Sequence, residues 1–388
     1  MSSALHEPHP TGPTTEAAIV ERMRAEMRLP PGTRVAVAMS GGVDSSTVAA
    51  LLVEAGYEVV GLTARLYDEP EDARRRAGSC CAPRDAADAR AVADALDIHH
   101  YVVDEREAFA EAVIARFAED YRSARTPNPC VECNRSLKFD RLLRRALTLG
   151  AEALATGHYA RLRPDALGRP QLSRGVDADK DQAYFLHPLR PGAANWLRFP
   201  LGGMDKTEVR AHATRLGVPV ADKPESMDLC FTGGLRPADW VARHGGAPAG
   251  VVVDLAGTRL GRHDNLAAFT VGQRRGVPIP GPADRYVVEK RADGTIVVGS
   301  SDDLQRDAVT LDAFGTIDGS SVEVGARLHA QLRHRGEAHA ARVVAADGER
   351  LALRFDAPVR AIAPGQSVVL FDGDRVVGGG LVVTEAAR

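Results

Sequence analysis

The sequence predicts an α/β protein in which a parallel-sheet domain is followed by a small β-rich central domain and a C-terminal β-barrel. Three observations support this fold class. Apolar runs alternate with helix-forming segments up to about residue 200, and a glycine-containing turn joins the first apolar run to the next helical pattern. From residue 250 onward the chain consists of short β-rich runs separated by Asp-Gly turns.

The first part of the chain has the alternating order of a parallel sheet. A leading helix is predicted at 16–27, because one helical face is apolar: Ile19, Val20, Met23 and Met27. Later apolar runs predict strands at 35–39, 57–63, 99–103 and 153–156, with helices at 47–52, 85–96, 107–123 and 136–149. Two prolines at 126–129 predict a non-helical turn before the last of these helices. Such alternation implies parallel pairing with right-handed crossovers.

After the parallel-sheet region, the sequence pattern changes from alternating strands and helices to mainly short β-rich runs. Helices are predicted at 205–216 and 237–243, and the β-rich runs beyond them predict small antiparallel domains that end in a barrel. The expected divisions are an N-terminal extension with a short helix, the parallel-sheet domain, the central domain and the barrel, at 1–33, 34–232, 233–303 and 304–388.

Composition bounds the class of protein. No apolar run approaches the roughly 18 to 20 residues that span a bilayer, and residues 1–15 are polar and proline-rich rather than a secretory signal, so we expect a cytoplasmic protein whose first dozen or so residues are disordered. The net charge of −3 neither predicts nor excludes a nucleic-acid surface. Five cysteines are too few, and odd in number, for a secreted disulfide framework. They favour metal binding or sulfur chemistry instead.

The segment 35–46 carries the first chemical signal. Its strand ends in Ser-Gly-Gly, which lets backbone N–H groups approach an anion, and the following helix presents its positive N-terminal end. Asp44, Ser45 and Ser46 stand where N-capping side chains are expected. No lysine follows the glycines, so the Walker motif is excluded. The pattern predicts a pyrophosphate site, and an ordinary strand-to-helix turn is the alternative.

The run SGGVDSS resembles the signature of the PP-loop ATP pyrophosphatases, whose sheet domain is adenine nucleotide alpha hydrolase-like. The resemblance implies cleavage of ATP between its α and β phosphates, with AMP left on a substrate oxygen. It also implies Mg²⁺ bound with the ATP phosphates, without a dedicated protein cage. The implied ATP-binding residues are Ala38, Met39, Ser40, Gly41, Gly42, Val43, Asp44, Ser45, Ala64 and Gly157.

Six further segments, in order, resemble the bacterial tRNA-specific 2-thiouridylases. They are RTPNPCVECN (125–134), ATGHYAR (155–161), DADKDQAYFL (177–186), KPESMDLCF (223–231), FTVGQRRG (269–276) and APGQSVVLF (363–371). The resemblance implies a tRNA-uridine 2-sulfurtransferase that adenylates the C2 oxygen of the wobble uridine and replaces it with persulfide sulfur. Its products are 2-thiouridine, AMP and pyrophosphate, its tRNAs are those for Lys, Glu and Gln, and its sulfur comes from a cysteine desulfurase or a relay protein.

Two cysteines receive catalytic roles from this resemblance. Cys230 matches the persulfide carrier, and Cys133 matches the nucleophile that resolves the persulfide as a Cys133–Cys230 disulfide. Both roles require a partly accessible thiolate. The alternative for Cys230 is a buried small hydrophobic residue beside Leu229 and Phe231.

Cys130 also allows a second hypothesis, in which the protein binds a metal cofactor through its cysteines. Some family members carry Asp at this position, so the proton-transfer role of that Asp is not carried over. Together with Cys133 and Cys230 it could supply three ligands to an iron–sulfur cluster, as in related tRNA thiolases, or part of a zinc site. A fourth ligand would have to come from Cys80 or Cys81. The alternative prediction for these two cysteines is that they are loop thiols without a catalytic role.

Contacts with tRNA are also implied by the resemblance, since phosphate contacts need local cations and no net positive chain. The matching residues are Asn128, Pro129, Cys130, His158, Lys180, Asp181, Gln182, Arg333, His334 and Gln366. His334 replaces a commoner Tyr, which weakens the case for base stacking there. An alternative prediction for His158 is a polar contact near ATP. The alternative for residues 180–182 is a solvated loop. Two rival functions are another PP-loop ligase and an RNA-binding scaffold without catalysis.

Overall fold

The computed structural model describes residues 15–68, 83–225, 229–279 and 284–383. Predictions for the first 14 residues and for Cys80 and Cys81 therefore lie outside the described residues.

A parallel sheet of five strands forms the centre of the first domain. Its strands, in spatial order, are β3 (His99–Asp104), β2 (Glu58–Arg65), β1 (Arg34–Ala38), β4 (Leu154–Thr156) and β7 (Leu197–Arg198). Val35, Ala36 and Val37 of the central strand are fully buried, as expected for a strand covered on both faces. The order reverses between β1 and β4, and open α/β sheets bind ligands beyond the carboxyl ends of the strands at such a point.

Helices flank this sheet or connect its strands. They are α1 (Glu16–Met27), α2 (Val43–Glu54), α3 (Pro83–Ala95), α4 (Arg106–Phe109), α5 (Arg116–Arg122), α6 (Pro129–Cys133), α7 (Leu143–Thr148), α8 (Pro191–Ala194) and α9 (Lys206–Arg215). Helix α10 (Pro237–Arg243) follows the last strand of the sheet and packs against α5 and Ala267. The π-helical segments Ala110–Ala115 and Asn134–Leu142 join α4 to α5 and α6 to α7.

The helix predicted at 136–149 starts earlier than expected. Pro129 occupies the first turn, where its missing N–H costs nothing, and the Asn128 side chain accepts a hydrogen bond from the Val131 amide at 3.4 Å. The second proline of the predicted turn is therefore the start of a helix. As a result, Cys130 and Cys133 lie on a helix and not in a loop.

The capping prediction for Asp44, Ser45 and Ser46 is wrong. Helix α2 begins at Val43, so its N-cap is Gly42, which has no side chain to cap the helix. The three polar residues lie inside the first turn, where the hydroxyls of Ser45 and Ser46 donate back to the Gly42 carbonyl at 3.3 and 2.9 Å. Without a capping side chain, the first amides of α2 face the space beyond β1.

The central domain contains one mixed sheet. Its strands, in spatial order, are β10 (Tyr286–Lys290), β11 (Ile296–Gly299), β8 (Gly250–Asp254) and β9 (Arg259–His263). The prediction of purely antiparallel pairing is wrong here, because β11 pairs with β8 in parallel. Val252, Ile296 and Val298 share one hydrophobic cluster, so burial brings together two strands that are distant in sequence.

The C-terminal domain is a closed antiparallel barrel. Its strands are β12 (Gln305–Thr316), β13 (Arg327–Gln331), β14 (Ala338–Asp347), β15 (Arg350–Arg360), β16 (Ser367–Asp372) and β17 (Arg375–Val382), and β12 closes it by pairing with both β15 and β17. A hairpin of the first domain, β5 (Ala160–Pro164) and β6 (Pro170–Arg174), adds to β17. The predicted fold class is confirmed, although this hairpin was not predicted.

Candidate active site

A cavity of about 320 Å³ lies beyond the carboxyl ends of β1 and β4, above the start of α2. Thirteen residues singled out in the sequence line it: Ala38, Met39, Ser40, Gly42, Val43, Asp44, Ser45, Ala64, Cys133, Gly157, His158, Lys180 and Gln182. The site therefore combines candidate nucleotide-binding, tRNA-contacting and catalytic residues in one space.

Two glycines shape the loop for different steric reasons. Gly41 has φ +72°, and a Cβ there would lie 2.2 Å from the Asp85 carbonyl oxygen. At Gly157, a Cβ would lie 2.9 Å from the amide nitrogen of Ser45. Gly157 thus allows the end of β4 to pack against the first turn of α2, which supports the loop in addition to opening space for a ligand.

Lysines from distant parts of the chain supply the positive charge that the loop itself lacks. Lys223 donates to the Gly41 carbonyl at 2.9 Å and to Asp85 Oδ1 at 2.6 Å. Although burial lowers the pKa of Lys223, its hydrogen bonds to Asp85 and Asp88 raise it above the usual range. Lys223 therefore stays charged and ties the loop to the start of α3.

Asp44 is held by two donors at the edge of the cavity. Its Oδ1 accepts hydrogen bonds from Tyr159 Oη at 2.7 Å and from Lys206 Nζ at 2.6 Å. Burial, followed by the charge of Asp44, raises the pKa of the Tyr159 hydroxyl far above its ordinary value. Tyr159 is thus a hydrogen-bond donor at every working pH, and it keeps the carboxylate oriented.

Sequence reasoning gave no role to Lys206, Lys223 or Tyr159. Lys206 lies 162 residues from Asp44 and Lys223 lies 182 residues from Gly41, so no local spacing links them. A signal was available, however. Lys223 opens the segment KPESMDLCF, and Tyr159 lies within ATGHYAR, the segments that carry the family resemblance.

His158 is a buried, neutral side chain at the back of the cavity. Its Nδ1 is 2.7 Å from Thr156 Oγ1, and its ring packs edge-on against Phe139 and Phe199. Burial holds the pKa of the imidazole well below its usual value. The ring can therefore offer a neutral hydrogen bond to a ligand, but no charge for a phosphate.

Cys133 and Cys230 pack against the same hydrophobic cluster. Cys133 ends α6 and lines the cavity, while Cys230 begins a 3₁₀ turn, and both are partly buried beside Phe109 and Leu137. The ring of Phe231 anchors that turn, with centroids 5.1 to 5.9 Å from those of Phe109, Phe117 and Trp240. Within the described residues the structure has no disulfide bond.

The donor set for a metal cluster does not fit. Among the described residues, no three His, Cys, Asp or Glu side chains are grouped so that they could hold a metal ion. Cys130 is exposed, whereas Cys133 and Cys230 lie partly inside. The three described thiols are therefore not assembled as a ligand set, and Cys80 and Cys81, the other candidate ligands, lie outside the described residues.

The remaining tRNA candidates lie where the first domain meets the barrel. His334 packs its ring 4.4 Å from that of Phe185 and lies 3.4 Å from the Asp181 carbonyl oxygen, while the Thr126 amide donates to the Pro364 carbonyl at 2.8 Å. These contacts bring the segments of Asn128, Pro129 and Cys130, of Lys180 to Gln182, of Arg333 and of Gln366 to one junction.

Two of these candidates use their side chains within the protein. Asp181 is buried and accepts hydrogen bonds from Arg174 at 2.8 Å and from the Gly175 amide at 3.0 Å. Gln182 accepts one from the Tyr159 amide at 3.0 Å. Both therefore position the loop, and Lys180 is the member of the triplet whose charge lies at the cavity.

Comparisons with known proteins cover most of the chain. Family models match in succession: the tRNA methyl transferase HUP domain at 33–234, the tRNA methyl transferase PRC-barrel domain at 238–300 and the aminomethyltransferase beta-barrel domain at 313–382. The chain is similar to proteins named tRNA-specific 2-thiouridylase MnmA. It is 46% identical to that of Paramagnetospirillum magneticum over 91% of this chain and 96% of the relative. For Caulobacter vibrioides the values are 45%, 93% and 97%, and for Rhizorhabdus wittichii 47%, 90% and 92%. Within the described ranges, no helix is both long and apolar enough to cross a membrane.

Proposed function

The chain belongs to the tRNA-specific 2-thiouridylase family, and from this premise we propose that it thiolates the wobble uridine of tRNA at C2, with ATP as activator and a protein persulfide as sulfur source. At the level of the family, the prediction of a tRNA-thiolating PP-loop sulfurtransferase is confirmed. The finer proposal includes the tRNAs for Lys, Glu and Gln, a cysteine desulfurase or relay protein as donor, and a cytoplasmic setting where tRNA and ATP are at hand.

The geometry of the loop supports the adenylation half of the reaction. The free N-terminal end of α2 favours the polyphosphate of ATP, and Lys180 and Lys223 reach the same cavity. Asp44 faces this space and, together with phosphate oxygens, provides the kind of oxygen donors that Mg²⁺ takes. There Mg²⁺ would neutralise charge on the pyrophosphate leaving group. AMP would then be joined to the uridine O2, which makes that oxygen a good leaving group.

The two cysteines support the sulfur-transfer half. The terminal sulfur of a Cys230 persulfide would attack C2, and AMP would leave with the former O2. Attack of the Cys133 thiolate on the Cys230 sulfur would then release the terminal sulfur as the thiocarbonyl. The two electrons that the sulfur gains come from the thiolates, which end as a Cys133–Cys230 disulfide that an external thiol must reduce.

The proposal rests on one observation: Cys133 lines the cavity beyond the carboxyl ends of β1 and β4, and it packs against the same hydrophobic cluster as Cys230. A PP-loop enzyme acting on a small acceptor needs no such pair. The arrangement puts sulfur chemistry beside adenylation, which is what replacement of a carbonyl oxygen by sulfur requires.

The test separates the two halves of the reaction. Unmodified tRNA, ATP and a sulfur donor are incubated with wild type, Cys230→Ser, Cys133→Ser and Asp44→Ala, and the nucleosides are measured by mass spectrometry. We expect both cysteine variants to lose 2-thiouridine but to retain tRNA-dependent exchange of pyrophosphate into ATP, and Asp44→Ala to lose both. Full thiolation by Cys230→Ser would refute the proposal. Iron and acid-labile sulfide in anaerobically purified active protein would revive the cluster.

A further inference from the structure

Glu225 connects Lys180, which like itself lines the cavity, to Lys206. Its Oε1 lies 2.9 Å from Lys206 Nζ, and its Oε2 accepts a hydrogen bond from Lys180 Nζ at 2.6 Å. Lys206 in turn bonds to Asp44, so two carboxylates and two ammonium groups form one continuous chain. The four charges sum to zero in a partly buried setting, where such interactions are stronger than in water.

The members of this chain come from three functional parts of the site. Asp44 belongs to the glycine-containing loop, Lys180 to the triplet at the junction with the barrel, and Glu225 stands five residues before Cys230 in the sequence. Asp44, Lys180 and Glu225 also line the cavity. No step of the reaction described so far uses Glu225.

Incoming ATP changes the balance of these charges. A polyphosphate beside α2 is a stronger partner for ammonium groups than a single carboxylate is, so it competes with Glu225 for Lys180 and Lys206. While the two lysines hold Glu225, it is charged: burial raises its pKa, but the hydrogen bonds from the lysines outweigh this and lower the pKa to about 2.

We propose that Glu225 is a positioning residue that holds Lys180 and Lys206 until ATP phosphates displace it, and thereby couples filling of the nucleotide site to the sulfur chemistry of Cys230, which follows five residues later in the sequence. The coupling to Cys230 rests on the function proposed above. The competition for the lysines does not, because it concerns nucleotide binding alone.

Two substitutions should shift ATP affinity in opposite directions. Glu225→Gln keeps the shape but removes the competing charge, so the Kd for ATP, measured by calorimetry, should fall by about three- to tenfold. Lys206→Met removes the ammonium group that offsets the negative charge of Asp44. Asp44 then repels the phosphates more strongly, so the Kd for ATP should rise by about tenfold. A loss of structure would weaken ATP binding in both variants.

A second readout measures the coupling. In Glu225→Gln the tighter ATP binding should accompany a fall in kcat for 2-thiouridine of about tenfold and a release of more than about one AMP per thiouridine. Glu225→Asp, which keeps the charge, should restore the wild-type Kd for ATP. Glu208→Gln is the matched control, since Glu208 lies on the same helix as Lys206 but pairs with Arg22.

The outcomes are distinguishable. An unchanged or weaker Kd for ATP in Glu225→Gln overturns the inference, whatever happens to thiolation. Tighter ATP binding with an unchanged ratio of AMP to thiouridine overturns the coupling to Cys230. A wild-type protein that binds ATP but makes no 2-thiouridine overturns the proposed function and leaves the competition between Glu225 and phosphate to be decided by calorimetry.

Discussion

Gly41 and Gly42 are adjacent in the loop, but only Gly41 is required by geometry. Gly41→Ala places a Cβ 2.2 Å from the Asp85 carbonyl oxygen in a left-handed backbone region, so we expect a loss of about 2 to 5 kcal/mol in the free energy of unfolding. ATP binding should be lost as well, because the loop must move away from α3. Denaturant unfolding and calorimetry measure the two effects.

Two glycines serve as controls for this substitution. Gly42 has an ordinary φ of −91°, and its nearest atom to an added Cβ is Ser40 Oγ at 3.5 Å, so Gly42→Ala should fold normally. Gly32 has φ +83° but open space around it, so Gly32→Ala should cost only about 1 to 2 kcal/mol. Equal stability losses in all three variants would contradict the steric argument.

The residues of the site fall into two groups: those that a contiguous sequence motif predicts, and those that come together only in the tertiary fold. Those from Ala38 to Ser45 are contiguous, so one motif is enough to place them around a ligand. Lys206 and Tyr159 meet Asp44 only after the sheet and α9 have assembled, and a lysine at the start of an amphipathic helix looks like any solvated residue. Their proximity arises from the tertiary fold, and hydrophobic periodicity in the sequence does not predict it.

At the scale of elements, the N-terminal helix is part of the core of the first domain. Ile19, Met23 and Met27 are fully buried in one cluster with residues of β1 and α2. Arg22 also bonds to Glu208 of α9 at 2.8 Å. The segment before the first strand, for which the sequence suggested no role beyond a short helix, therefore stabilises the fold.

Truncation of Met23 tests this role. Met23→Ala should lower the free energy of unfolding by about 2 to 5 kcal/mol, because it leaves a cavity in a fully buried cluster. Glu21→Ala, on the exposed face of the same helix and in an exposed ion pair with Arg24, should change it by less than about 1 kcal/mol. A loss of similar size in both variants would contradict the argument that burial of the apolar face sets the contribution of α1, since alanine is the best helix former and neither substitution lowers helix propensity.

Strands were predicted where burial on both faces made their sequences continuously apolar. The central strands β1 and β2 are of this kind. The hairpin of β5 and β6 was missed because its sequences, ARLRP and PQLSR, mix charge and proline with single leucines. The parallel pairing of β8 with β11 was missed because adjacent β-runs with turns usually pair antiparallel, and only the shared burial of Val252 and Val298 selects the other partner.

At the scale of the whole molecule, Arg174 joins the first domain to the barrel. It lies on β6 and bonds to Asp181 at 2.8 Å and to Gln331 Oε1 at 2.7 Å, with its guanidinium 3.7 Å from the centre of the Phe371 ring. Gln331 and Phe371 belong to the barrel. The planar guanidinium suits this combination of an ion pair, a hydrogen bond and ring stacking.

Loss of this link should affect tRNA more than ATP. Arg174→Ala leaves the buried Asp181 without its charge partner and loosens the barrel, so the Kd for tRNA should rise by about tenfold or more while the Kd for ATP stays within about twofold. Filter binding and calorimetry measure these values. Arg169→Ala, which removes the ion pair with Asp165 at the hairpin tip, should bind tRNA normally. Parallel losses of ATP and tRNA binding would contradict a purely interdomain role.

The same interface should make the stability of the protein depend on pH. His187 is buried, lies 3.0 Å from Ser367 Oγ of the barrel, and burial lowers the pKa of its imidazole to about 3. Because the unfolded chain binds that proton near pH 6.5, the neutral ring stabilises the fold above this pH, and its contribution is lost as the pH falls from 6.5 toward 3. Between pH 6.5 and 5 the loss amounts to about 1.5 kcal/mol. His187→Gln cannot titrate but can still bond to Ser367. Its free energy of unfolding should therefore fall by that much less than the wild-type value between pH 6.5 and 5. Identical slopes in wild type and His187→Gln would show that another group carries the pH dependence.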